Sequence, residues 1–119
     1  MKILVAEDEP IMQKTIALRL KKDGHEVITT DNGREALAMI AAENPDLIIT
    51  DIMMPYASGL EIVGNIRSSG KKTPIIVLTA MGQENVVLEA FQLGADDFIA
   101  KPFSPNELSM RVKRLMVRA

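Results

Sequence analysis

Five short apolar runs, mostly β-branched, alternate with longer stretches of helical periodicity. The runs are Ile3–Ala6, Glu26–Thr30, Leu47–Thr50, Ile75–Leu78 and Phe98–Ala100. Four are nearly continuously apolar, the pattern of strands covered on both faces by helices. The second carries Glu26, Thr29 and Thr30, which places it at a sheet edge. The helices between them are bounded by clear signals. Pro10 suits a first-turn position after Asp8 or Glu9 as cap, and that helix runs to Asp23 with Gly24 as its stop. Asn32 opens N-x-x-E, and a helix follows to Glu43, before Asn44-Pro45. Ser58-Gly-Leu-Glu61 and Ser104-Pro-Asn-Glu107 read as capping boxes. A fourth helix spans Gln83 to Gly94.

This is (βα)₅, and its short connections predict one parallel sheet with right-handed crossovers. The expected class is a single flavodoxin-like α/β three-layer sandwich over residues 1–119, with strand order 2-1-3-4-5. In that order ligands sit at the carboxyl ends of strands 1 and 3. The residues falling at that edge are Glu7 and Asp8, Asp51, Thr79 and Lys101, each set after a different strand.

Composition narrows the function without naming it. A formal charge of −2 gives no global field for nucleic acid or an anionic membrane, so this domain is expected to bind neither. The absence of cysteine removes disulfides, thiolate nucleophiles and zinc–thiolate sites. No apolar run approaches the roughly 20 residues of a membrane span. No signal peptide is visible, and a cytoplasmic address is expected.

The chemistry lies in the convergence. Taken singly, an acid at a helix start is a cap, a strand-end Asp forms a turn, Thr79 caps a helix and Lys101 is a surface charge. Together, Glu7, Asp8 and Asp51 would repel unless a cation joined them. Oxygen ligands without His or Cys suit a hard ion such as Mg²⁺. A fixed ammonium and a hydroxyl beside them make a phosphoryl-transfer site. Asp51 is central and would be the nucleophile, giving an aspartyl phosphate.

The stretches "VAEDE", "IITDIMMP" with "ASGLE" after Tyr56, "IIVLTA" and "GADDFIAKPF" resemble, in order, the receiver domain of two-component response regulators. The resemblance implies a signalling switch that takes part in its own phosphorylation and dephosphorylation. Asp51 would accept phosphate from a sensor histidine kinase or a phosphotransfer protein. Glu7, Asp8, Asp51 and the Met53 carbonyl would hold Mg²⁺. Thr79 and Lys101 would engage the phosphoryl group, with Lys101-Pro102 a cis peptide. Ala80 would leave the phosphoryl group accessible, and Phe98 would be the aromatic that turns inward when Thr79 moves. Met53, Met54 and Met81 would flank the site, and Pro55 would shape the loop after the third strand.

Two other chemistries compete. A flavodoxin needs a phosphate-binding loop where this chain has Glu7-Asp8-Glu9. A Mg²⁺-dependent phosphatase with an aspartyl-phosphate intermediate wants a second Asp two residues after Asp51, where Met53 stands. The remaining expectations are structural. His25 is expected on an exposed loop, Lys71-Lys72 in a solvated one, and Met39, Met110 and Met116 in the core.

"GADD" with "NELSMRVKRLMVR" resembles receivers of the winged-helix transcription-factor class. That implies a downstream effector and a phosphorylation-dependent homodimer through helix 4, strand 5 and helix 5. Asp96 or Asp97 with Arg111 would supply one ion pair of that interface. The sequence departs from the pattern at Glu89, which would face Glu107 where a basic residue is expected.

Overall fold

The computed structural model describes residues 1–54 and 56–118, without the Arg118 side chain. Pro55 therefore lies outside the described residues. The elements alternate as expected: β1 (Lys2–Ala6), α1 (Pro10–Lys22), β2 (Glu26–Thr30), α2 (Gly33–Glu43) and β3 (Leu47–Asp51). They continue with α3 (Gly59–Ser68), β4 (Ile75–Thr79), α4 (Glu84–Leu93), β5 (Asp97–Ala100) and α5 (Pro105–Arg118). The strands form one five-stranded sheet in the order β2-β1-β3-β4-β5, all neighbours parallel. This is the flavodoxin-like order.

Strand alternation divides the core in two. Leu4, Ile48, Ile75 and Val77 face α2, α3 and α4, where they meet Ala36, Ile40, Ile62 and Ile66. Ile3, Val5, Ile49, Ile76 and Leu78 face α1 and α5, where they meet Ile16, Leu20, Leu108 and Val112. Every residue of β3 and β4 is buried, which is why those sequences carry no polar alternation. β2 is half open to solvent, as its polar composition requires of an edge.

The helix boundaries follow their signals with one exception. The Asn32, Ser58 and Ser104 side chains accept hydrogen bonds from the amides of Glu35, Glu61 and Glu107. Asn44 and Gly94 close α2 and α4 in the left-handed conformation. The exception is α1. Glu9 occupies its N-cap position, but no side-chain cap bond forms, and Asp8 does not cap either. The acids before α1 are thus left for another purpose.

One close approach fixes how α2 meets the loop after β3. A Cβ built on Gly33 would stand 1.9 Å from the Ala57 carbonyl oxygen. Only glycine lets the start of α2 come that near.

Candidate phosphoryl-transfer site

Because the strands are parallel, all their carboxyl ends lie at one edge, and each delivers one group there. Glu7 follows β1 and is fully buried, while the adjacent Asp8 is exposed. Asp51 ends the central β3 at 7% exposure, and Thr79 ends β4 at 3%. Lys101 directly follows β5 and precedes the cis Lys101-Pro102 peptide expected from the sequence. One carboxylate oxygen from each of Glu7, Asp8 and Asp51 lies within 4.8 Å of the others. The Lys101 Nζ reaches Asp51 Oδ2 at 2.6 Å and Glu7 Oε1 at 2.9 Å.

Backbone bonds hold this cluster in place. The Met53 amide donates to Asp51 Oδ1 at 3.2 Å, so the loop after β3 folds back over its own acid. The Glu7 amide donates to the Thr30 carbonyl, tying β1 to the end of β2. Glu7 Oε2 accepts the Glu9 amide at 3.3 Å. The Lys101 amide donates to the Thr79 carbonyl at 2.7 Å. The Thr79 hydroxyl makes no hydrogen bond among the described residues.

The electrostatics follow from this crowding. Burial pushes the Glu7 carboxyl up to about 7; Lys101 pulls it down, and Asp51 pushes it up again. Burial disfavours the Lys101 ammonium, but its ion pairs with Asp51 and Glu7 outweigh that and hold its pKa above the usual value. The lysine is the local counter-ion of a site with too many acids. It does not satisfy them fully. Its contact with Glu7 Oε1 is an ion pair without hydrogen-bond angles, so that buried oxygen has no hydrogen-bond partner among the described residues. A buried carboxylate oxygen held by an ion pair alone, two further carboxylates and no His or Cys form a set that a hard divalent cation fits.

The sequence model of the response regulator receiver domain matches residues 3–113. The chain belongs to the response regulator receiver family. Among its relatives, the transcriptional regulatory protein ResD of Bacillus subtilis (strain 168) is 43% identical over 118 residues. That match takes in 99% of this chain and 49% of ResD. The alkaline phosphatase synthesis transcriptional regulatory protein PhoP of the same organism is 40% identical, with the same coverage. The receiver thus spans about half the length of the curated relatives it matches. Solved structures agree with the fold. A putative response regulator from Chloroflexus aurantiacus J-10-fl superimposes with TM-score 0.91 at 34% identity, covering 98% of this chain and 97% of that one. The NtrX receiver domain from Brucella abortus gives 0.93 at 29% identity, covering 98% and 99%. Receivers bind Mg²⁺ in general and take phosphate on an aspartate; the acidic cluster here could hold a metal. The phosphatase alternative is not favoured.

Beyond the central cluster the receiver keeps some expectations and revises others. Phe98 is 37% exposed and packs edge-on against Phe91, with ring centroids 6.0 Å apart. Met53 and Met81 are exposed beside the site, while Met54 and Met39 pack on the core. Met110 and Met116 do not join the core. With His25 they line a groove between α1 and α5, because both fall on the open side of α5. His25 is half-buried rather than exposed, and its Nδ1 lies 3.3 Å from the N-terminal amine. Lys71 is half-buried, and only Lys72 is open to solvent. Arg111 bonds Asp97 at 3.1 Å within the same chain, and Asp96 instead pairs with Arg67 at 2.9 Å. Glu107 lies 3.5 Å from Arg111, and Glu89 is exposed. The sequence reading passed over Gln13 and Arg67, the two side chains that stitch loops together. A polar residue on the inward side of its helix was the only signal available for either.

The described residues include no helix long and apolar enough to cross a membrane.

Proposed function

We propose that Asp51 is the phosphoacceptor, with Glu7, Asp8 and the Met53 carbonyl completing a Mg²⁺ site. The observation that carries this is the meeting of Asp51 Oδ2 with Lys101 Nζ at 2.6 Å inside a cluster of three carboxylates. The Asp51 carboxylate attacks the phosphorus of a phosphohistidine on a sensor kinase or phosphotransfer protein. A P–O bond forms as the P–N bond breaks, and the leaving imidazole keeps the bonding pair and takes up a proton. Lys101 moves its ion pair onto a phosphoryl oxygen, and Thr79 donates its hydroxyl to another. Bound Mg²⁺ would supply charge neutralisation for the carboxylates and the phosphoryl group. Hydrolysis returns the switch to its resting state.

The output follows from Thr79. A cavity of about 490 Å³ lies between α4 and β5, lined by Thr79, Met81, Val87, Phe91 and Phe98. Movement of Thr79 toward the phosphoryl group opens room for the Phe98 ring to turn inward, and the α4–β5–α5 face changes shape. That face would be read by a downstream effector or by a second copy of the receiver. In the full-length protein this points to control of transcription, with residues 1–119 forming the receiver unit and DNA contacts made elsewhere.

Intact mass after acetyl phosphate and Mg²⁺ tests the assignment. Wild type should gain one phosphoryl group, and Asp51→Asn should gain none. Modification of Asp51→Asn at the wild-type rate, or no effect of EDTA on wild type, would show the site to be wrong.

A further inference from the structure

We infer that Gln13 is a positioning residue for the cation site, acting on Asp8 through the backbone of Glu7. This rests on the proposed role of Asp8 and adds a residue to it. Asp8 makes no hydrogen bond or ion pair of its own among the described residues. Its place is therefore set by the peptide that precedes it, between Glu7 and Asp8. The carbonyl of that peptide accepts from Gln13 Nε2 at 2.9 Å. The same nitrogen also reaches the Thr30 carbonyl at 3.1 Å and Asp31 Oδ1 at 2.8 Å. Three oxygen acceptors surround one amide nitrogen, so only the donor end of the side chain fits there. Thr30 is the residue whose carbonyl also holds the Glu7 amide. Both faces of Glu7's backbone are thereby clamped to the end of β2, one directly and one through Gln13.

The placement of Gln13 makes this possible. It sits one turn into α1, with its own amide bonded to the Glu9 carbonyl at 2.9 Å. The helix thus reaches back over the acidic loop that leads into it. No side chain caps α1, and the Gln13 side-chain amide joins the Glu9 amide–Glu7 Oε2 bond in tying helix to loop. Outer-shell partners of this kind typically change metal affinity by roughly 10- to 100-fold when lost.

The test is a Mg²⁺ titration of the 119-residue receiver, followed by amide NMR shifts, with circular dichroism confirming the fold. Gln13→Leu removes the donor at similar size and should weaken Mg²⁺ binding about 10-fold. Gln13→Glu sets a carboxylate against three acceptors and should weaken it as well, although it adds negative charge. Gln13→Lys keeps donors for those acceptors and should bind within about twofold of wild type, although it adds positive charge. Simple electrostatics predicts the reverse order for Glu and Lys. Tighter binding by Gln13→Glu with weaker binding by Gln13→Lys would overturn the inference, as would unchanged binding in Gln13→Leu. Asp8→Asn separates the two levels. If it leaves Mg²⁺ binding unaltered, the metal-site reading fails and the inference with it. If it abolishes binding while Gln13→Leu does not weaken it, the inference alone fails.

Discussion

Replacing Gly33 by alanine sets a methyl group against backbone that has no room for it. The new Cβ would lie 1.9 Å from the Ala57 carbonyl oxygen and 2.5 Å from the Ala57 Cβ. Ordinary contact begins at 3.4 Å, so α2 and the loop after β3 must part by about 1.5 Å. Neither side yields readily. Gly33 and Ala57 are both buried, and α2 is anchored on the sheet through Ala36 and Ile40. Overpacking of this kind costs about 1–3 kcal/mol, and a backbone obstacle places it at the upper end. Alanine regains about 0.4–1 kcal/mol by restricting the unfolded chain. The expected net loss is about 2 kcal/mol, or near 8 °C in Tm for a domain of this size. Gly64→Ala is the internal control. It sits inside α3 with nothing within 4 Å of its would-be Cβ, and should gain about 0.5–1 kcal/mol. Urea unfolding followed by circular dichroism measures both. Equal or greater stability in Gly33→Ala would refute the steric reasoning, since the entropic gain would then be unopposed.

Three further outcomes follow. Lys101→Met leaves Glu7 and Asp51 without their counter-ion and should lower metal-free stability by about 3 kcal/mol at pH 8. The deficit should shrink toward pH 6 as Glu7 takes up a proton, and a pH-independent deficit would contradict the role of that acid. His25 has its pKa lowered by burial, and further by the N-terminal amine, so the unfolded chain binds the proton more readily. Its contribution is whole above pH 6.5 and is lost as pH falls below it. Glu7, with its raised pKa, slopes the other way, so the comparison to make is wild type against His25→Gln, whose difference should shift against the wild type as pH falls through 6.5. Finally, beryllofluoride should produce only weak dimers in sedimentation, and Glu89→Arg should strengthen them. Tight association of the wild type would show that Glu89 and Glu107 do not face each other.

The strands were the most legible part of the sequence. β2 was read to the residue, and the other four strands to within one, because apolar runs bounded by Gly, Pro and Asn leave few alternatives. The cluster of Glu7, Asp8, Asp51, Thr79 and Lys101 was legible for a related reason. A parallel sheet gathers its strand ends, so an ordered set of polar residues after strands becomes a set of neighbours. What could not be read depends on which way a side chain turns. Met110 and Met116 carry core-like periodicity, yet α5 packs through Leu108, Val112 and Leu115, leaving the methionines on the far side of that stripe. Arg111 meets Asp97 in its own chain at 3.1 Å, a contact its sequence position alone did not announce. At α1 neither Asp8 nor Glu9 makes a side-chain cap bond, while the Glu9 amide bonds Glu7 Oε2.

The three acids and one lysine of the site leave it with two formal negative charges. The whole chain, with 14 basic and 16 acidic residues, also carries −2. Everything outside the site therefore sums to zero. The formal excess of negative charge on the chain thus equals the excess gathered at the site, and it matches a single divalent ion in magnitude. Within the roughly 10 Å over which fields survive at 0.1 M salt, that excess would draw a cation toward this edge. On the proposed reading of the site, that charge would favour entry of a divalent ion before the phosphoryl group.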